Sequence, residues 1–105
     1  MKRPPLPKTV ESFSVSFGNV WQAFQKLGEE YHGAGPLDDR VRRLVKIGIA
    51  AAAQSEGAVH SAVRRAKAAG IPAAEIRHVI VLSITTIGFP RAMAAMSWAD
   101  DLLRK

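Results

Sequence analysis

Residues 54–70 read Q-S-E-G-A-V-H-S-A-V-R-R-A-K-A-A-G. A serine opens this stretch and a glycine closes it, which is the punctuation of a short helix. Ser55 offers a side-chain oxygen to the amide hydrogens left free at a helix start, and Glu56 suits the positive end of the helix dipole. Gly70 accepts the left-handed turn that ends a helix. On a helical wheel Ser55, Ala58, Val59, Ala62, Val63, Ala66 and Ala69 share an apolar side. Glu56, His60, Arg64 and Lys67 share the other, at steps of three and four.

The polar side carries the candidate chemistry. Glu56 and His60 stand four residues apart, close enough on a helix to hydrogen-bond. A carboxylate beside an imidazole fixes its tautomer, so the pair reads as a general acid and base. Arg64, one turn further, would hold a substrate carboxylate, and the +6 net charge of the chain suits an anionic small molecule. The plainer alternative is a solvated or subunit-facing helix surface with ordinary charge pairs.

Working outward, the stretch sits among further helical patterns. Before it, Asp38 or Asp39 can cap a helix whose first turns carry Arg40, Arg42, Arg43 and Lys46, and whose end, 47–53, is apolar all round and so expected to be buried on every side. Earlier still, Phe17, Val20, Trp21, Phe24, Leu27 and Tyr31 recur at three and four, and Gly33-Ala34-Gly35-Pro36 ends that helix. Residues 12–17 alternate serine with Phe13, Val15 and Phe17; with no partner strand in sight they read as a lead-in to the helix. After Gly70, Pro72 starts a fourth helix, in which Ile76, Val79, Ile80, Ile84 and Ile87 form a stripe and Thr85-Thr86 are placed to bend it. Gly88 and Pro90 then open a fifth, with Ala92, Met96, Ala99 and Leu103 on one side and Trp98 beside them. The expectation is an all-α fold, a compact bundle of about five helices in a single domain over 1–105, with 1–12 as an extended N-terminal arm.

Composition sets the outer bounds. With 105 residues, 48% of them hydrophobic and 23% charged, the chain is globular, and a chain of this length gains further burial by self-association. It has no cysteine, which excludes disulfides, thiolate metal sites and thiol nucleophiles. No run approaches the roughly 20 apolar residues of a membrane span, and the two N-terminal cations precede no apolar core, so the cytoplasm is the expected compartment. His32, His60 and His78 share no ligand spacing, so neither a metal nor a cofactor is expected. His32 reads as a cation at a helix end, His78 as a buried or interface histidine, and Trp21, Phe24 and Trp98 as core or interface anchors.

Three blocks carry a resemblance: L-D-D-R-x-R-R-L-V-K-I-G-I-A, then S-E-G-A-V-H-S-A-V-R-R-A-K-A-A-G, then A-E-I-R-H-V-I-V-L-S-I-T-T-I-G-F-P. Over about 37–103 the chain resembles the carboxymuconolactone decarboxylase and alkylhydroperoxidase-D-like superfamily. The resemblance implies an all-helical protein that assembles as a homotrimer or homohexamer. The peroxidase branch places C-x-x-C-x-x-x-H on the motif helix and a glutamate on the helix before it. Aligned on Ala69-Gly70, the two cysteines fall at Ser55 and Ala58, the histidine at Ala62 and the glutamate near Arg43. None of the four is kept, and a serine at a helix N-terminus stays protonated where a cysteine would ionise. Thiol-based peroxide reduction is excluded. The decarboxylase branch generally keeps the histidine at the position of Ala62, which is lost too, and His60 lies on the opposite face.

Three functions therefore compete. One is a cofactor-free small-molecule lyase that uses Glu56 and His60 for proton transfer and Arg43 or Arg64 to bind an anionic group. Another is a non-catalytic oligomer that kept the fold and lost the site. Nucleic-acid binding through Arg40, Arg42, Arg43, Arg64, Arg65 and Lys67 is disfavoured, because no reading motif is present and glutamates interrupt the basic run.

Overall fold

The computed structural model describes residues 6–104. Their regular elements are all helices, with no strand among them, and they fall into two compact units divided between Leu37 and Asp38. The first holds α1 (Lys8–Ser16) and α2 (Gly18–His32). The second holds α3 (Asp39–Ala52), α4 (Glu56–Ala68), α5 (Ala73–Leu82), the single turn α6 (Ile84–Ile87) and α7 (Phe89–Leu103). All-α is as expected.

Two boundaries differ from the reading of the sequence. Helix α1 already begins at Lys8, so the extended arm does not reach residue 12; its first five residues lie outside those described. The serine alternation of 12–17 sits on that helix, where Phe13 stacks on Phe17 and meets the edge of Trp21 across the short break before α2. The fourth helix also divides. The Ser83 hydroxyl donates to the Ile80 carbonyl at 2.6 Å, a back-bond of the kind that bends helices, and α5 stops there. Ser83, rather than the Thr85-Thr86 pair, makes the bend.

The helix ends of the second unit follow the sequence closely. Asp38 accepts from the Val41 amide at 2.9 Å and caps α3; Ser55 accepts from the Ala58 amide at 3.2 Å and caps α4. Gly70 and Gly88 take φ of +86° and +91°, beyond the comfort of any residue with a Cβ. Gln54 does so without being glycine, at φ +53°. Its side-chain amide donates to the Ala51 and Arg91 carbonyls, both at 2.9 Å, which ties the α3–α4 turn to the start of α7.

The core of this unit is thin and made of small residues. Ile47, Ala51, Val59, Val63, Ala66, Ile76, Ile80, Ala95 and Ala99 are fully buried, drawn from α3, α4, α5 and α7. Alanines on α4 and α7 let the two backbones approach closely, and that approach positions the site described below. Ion pairs lie at the rim: Arg40 with Glu75, and Asp100 with Arg77 at 3.1 Å and Arg104 at 3.2 Å.

The end of α3 is not buried on every side. Ile47, Ala50 and Ala51 are, but Ile49 is 61% exposed, and Val41 and Val45 lie open on the same stripe. In the first unit no residue of α1 or α2 is buried, and Phe24, expected as a core or interface anchor, is 57% exposed in the single chain. Trp98 does pack on the core, while His78, expected to be buried or at an interface, is exposed in the single chain.

Candidate acid–base site on α4 and α7

Helix α4 projects Glu56 and His60 from one face because they are four residues apart. Val59 and Val63, on the other face, are fully buried and pin the helix against the core, so His60 is held at its rim with 29% of its side chain exposed. Facing it is the last turn of α7, anchored by buried Ala95 and Ala99. There Asp101 Oδ2 lies 2.8 Å from His60 Nε2. Two turns along α4, Lys67 Nζ donates to the Leu102 carbonyl at 2.7 Å, a second tie between the same two helices.

The expected hydrogen bond between Glu56 and His60 is replaced by this long-range one. Glu56 makes no hydrogen bond or ion pair among the described residues, yet its carboxylate remains close: one ligand atom each from Glu56, His60 and Asp101 lies within 4.8 Å of the others. Two carboxylates thus flank one imidazole. When the Asp101 carboxylate accepts from Nε2–H, the Nδ1 lone pair is left to take a proton, and the ring is held in one orientation.

The two arginines are placed differently. Arg64 lies on α4 one turn beyond His60, half-buried; burial, reinforced by the charge of adjacent Arg65, lowers its guanidinium pKa from the ordinary value, though an arginine remains charged at neutral pH. Arg43 is on α3, where its Nε donates to Asp39 at 2.8 Å. Its guanidinium is engaged within its own helix, which accounts for it structurally. A groove of the second unit, about 290 Å³ and open to solvent, is lined by Gly48, Ala52, Val79, Leu82, Ser83, Thr86 and Ile87 and includes none of these site residues.

Sequence reasoning missed Asp101. A signal was present: two adjacent aspartates, Asp100 and Asp101, close an otherwise apolar helix at its negative end, where carboxylates are unfavourable without cationic or donor partners. Such a pair asks for partners, and Arg77, Arg104 and His60 supply them. The positions aligned with the reactive residues of the peroxidase branch, by contrast, carry no chemistry: Ser55 serves as the cap of α4, and Ala62 packs against the core.

Fold and face together define a cysteine-free, all-helical protein that presents a carboxylate–imidazole–carboxylate group across two helices of one core. The model of the carboxymuconolactone decarboxylase family matches residues 19–101, and the chain belongs to that family. No curated protein matches it. No helix among the described residues is long and apolar enough to cross a membrane.

Proposed function

We propose that the chain works as a single decarboxylase-like domain over 1–105, an acid–base lyase acting on a small anionic molecule without a thiol. The observation that carries this is the 2.8 Å contact between His60 Nε2 and Asp101 Oδ2, made between residues 41 apart in sequence. It gives His60 the fixed tautomer and orientation that proton transfer needs. In a decarboxylation the C–C bond to the carboxylate breaks, carbon dioxide leaves, and the electron pair stays on the substrate until a proton quenches it. His60 delivers that proton, with Glu56 alongside to exchange it with solvent. Arg64 binds the substrate's anionic group; Arg43, engaged with Asp39, is the weaker candidate. The cytoplasm is the compartment this reading assumes.

The test is release of carbon dioxide from small carboxylated lactones by the purified chain and by His60→Ala, Glu56→Gln and Asp101→Asn variants. Loss of activity in the His60 and Asp101 variants, with folding intact, supports the assignment. Turnover unchanged in His60→Ala overturns it.

A second reading is favoured by a different observation. Glu56 and Asp101 are exposed, and the open groove lies apart from them, while apolar side chains at Val41, Val45, Ile49, Leu82 and Phe89 face solvent. This is what a non-catalytic oligomer would show, with those residues buried between copies in a homotrimer or homohexamer. Inactivity on every carboxylated lactone, together with a stable oligomer in solution, selects it.

A further inference from the structure

We propose that Glu56, His60 and Asp101 form a binding site for one divalent transition-metal ion, Zn²⁺ by preference. The inference uses the side chains of the acid–base reading but stands whether or not they catalyse anything.

The geometry is that of a three-ligand site held on two helices. Glu56 and His60 occupy successive turns of α4, the spacing that lets a helix offer two ligands to one ion, and Asp101 closes the third side from α7. A tetrahedral ion with bonds of about 2.1 Å needs ligand atoms about 3.4 Å apart. One ligand atom from each residue lies within 4.8 Å of the others, and His60 Nε2 and Asp101 Oδ2 lie 2.8 Å apart. The ion therefore enters by opening the His60–Asp101 contact slightly and drawing Glu56 inward, both within the swing of exposed carboxylate side chains. The backbones need not move, because Val59, Val63, Ala95 and Ala99 lock α4 to α7 beneath the site. A fourth position faces solvent.

The donor set selects the ion. An imidazole nitrogen disfavours Mg²⁺ and Ca²⁺, which take oxygen ligands, and the absence of thiolates disfavours the softest ions. Two carboxylates supply two negative charges to match a divalent cation. Glu56 has no hydrogen bond or ion pair among the described residues to give up on binding, and the Lys67 ammonium is directed to the Leu102 carbonyl.

The experiment uses tag-free full-length protein stripped of metal. Zn²⁺ is titrated by calorimetry, and Co²⁺ by its visible d–d absorption. The expected result is one ion per chain, a Co²⁺ spectrum abolished by added Zn²⁺, and affinity lowered on the order of 10-fold or more in each of His60→Ala, Glu56→Gln and Asp101→Asn. His78→Gln, at an exposed histidine on α5, is expected to bind as the parent does. Circular dichroism verifies the helices of every variant, and the isosteric Asp101→Asn carries the test if His60→Ala does not fold. Absence of saturable binding overturns the proposal, as does undiminished binding in Glu56→Gln or Asp101→Asn, or an equal loss in His78→Gln. Failure to bind metal leaves the acid–base reading standing, and absence of lyase activity leaves the metal site standing.

Discussion

His60 and Asp101 are 41 residues apart in sequence and 2.8 Å apart in space. Neither could be paired with the other by helical periodicity, since they lie on different helices. Their contact turns a histidine on a charged helix face into an oriented group.

If that orientation serves proton transfer, His60→Ala lowers kcat/KM on the order of 100-fold, the usual contribution of a positioned acid–base group. Asp101→Asn keeps the ring in place less well and lowers kcat while leaving KM nearly unchanged. Steady-state kinetics on the substrate of the parent protein separate the two effects. The same Asp101→Asn change costs no more than about 1 kcal/mol of stability, because the Asp101 side chain is 54% exposed.

The caps of α3 and α4 make an independent prediction. Asp38→Ala and Ser55→Ala each remove the acceptor of a free amide hydrogen and cost about 1 kcal/mol, read by urea denaturation. Ser55→Cys is the more telling change: it restores one cysteine at the helix start yet yields no peroxidase, since Ala58 supplies no second thiol.

Gln54 combines an unfavourable backbone angle with two useful bonds. Gln54→Ala keeps the φ of +53° and loses both contacts, to Ala51 and Arg91. Gln54→Gly loses the same contacts but accepts the angle. Gln54→Ala is therefore the more destabilising of the two, by about 1 kcal/mol, in thermal or chemical unfolding.

Ile76 and Ile80 are fully buried on α5. Truncating either to alanine leaves a cavity in a core already built from small residues, and costs about 2 to 5 kcal/mol. A drop in the denaturant midpoint without a change in slope is the expected signature.

The exposed apolar stripe of α3 offers a test of assembly. Ile49→Asp, alone or with Leu82→Asp, places charge on a surface that is 61% and 65% exposed at those two positions. If this surface lies between copies, light scattering shows a smaller species with unchanged helicity. An unchanged mass in both variants moves the interface elsewhere.

The sequence by itself determined that the second unit is helical and where most of its helices end, but it did not show α1, which occupies residues expected as an arm and a lead-in. Caps, prolines and glycines act through their immediate neighbours, so Ser55 and Gly70 could be assigned without a fold, and the cap of α3 narrowed to Asp38 or Asp39, of which the structure shows Asp38. The buried face of α4 was legible for the same reason, as a period of three and four that put Val59 and Val63 together. The split at Ser83 was harder, because several hydroxyl side chains there compete for backbone bonds and only the packed helix chooses among them. What only the tertiary structure decided was the partner of His60. Periodicity offered Glu56, its neighbour along the helix, but a side chain can also turn outward to whatever the core brings beside it. The close packing of alanine-rich α4 and α7 brought Asp101, and that distance belongs to no local rule of the chain.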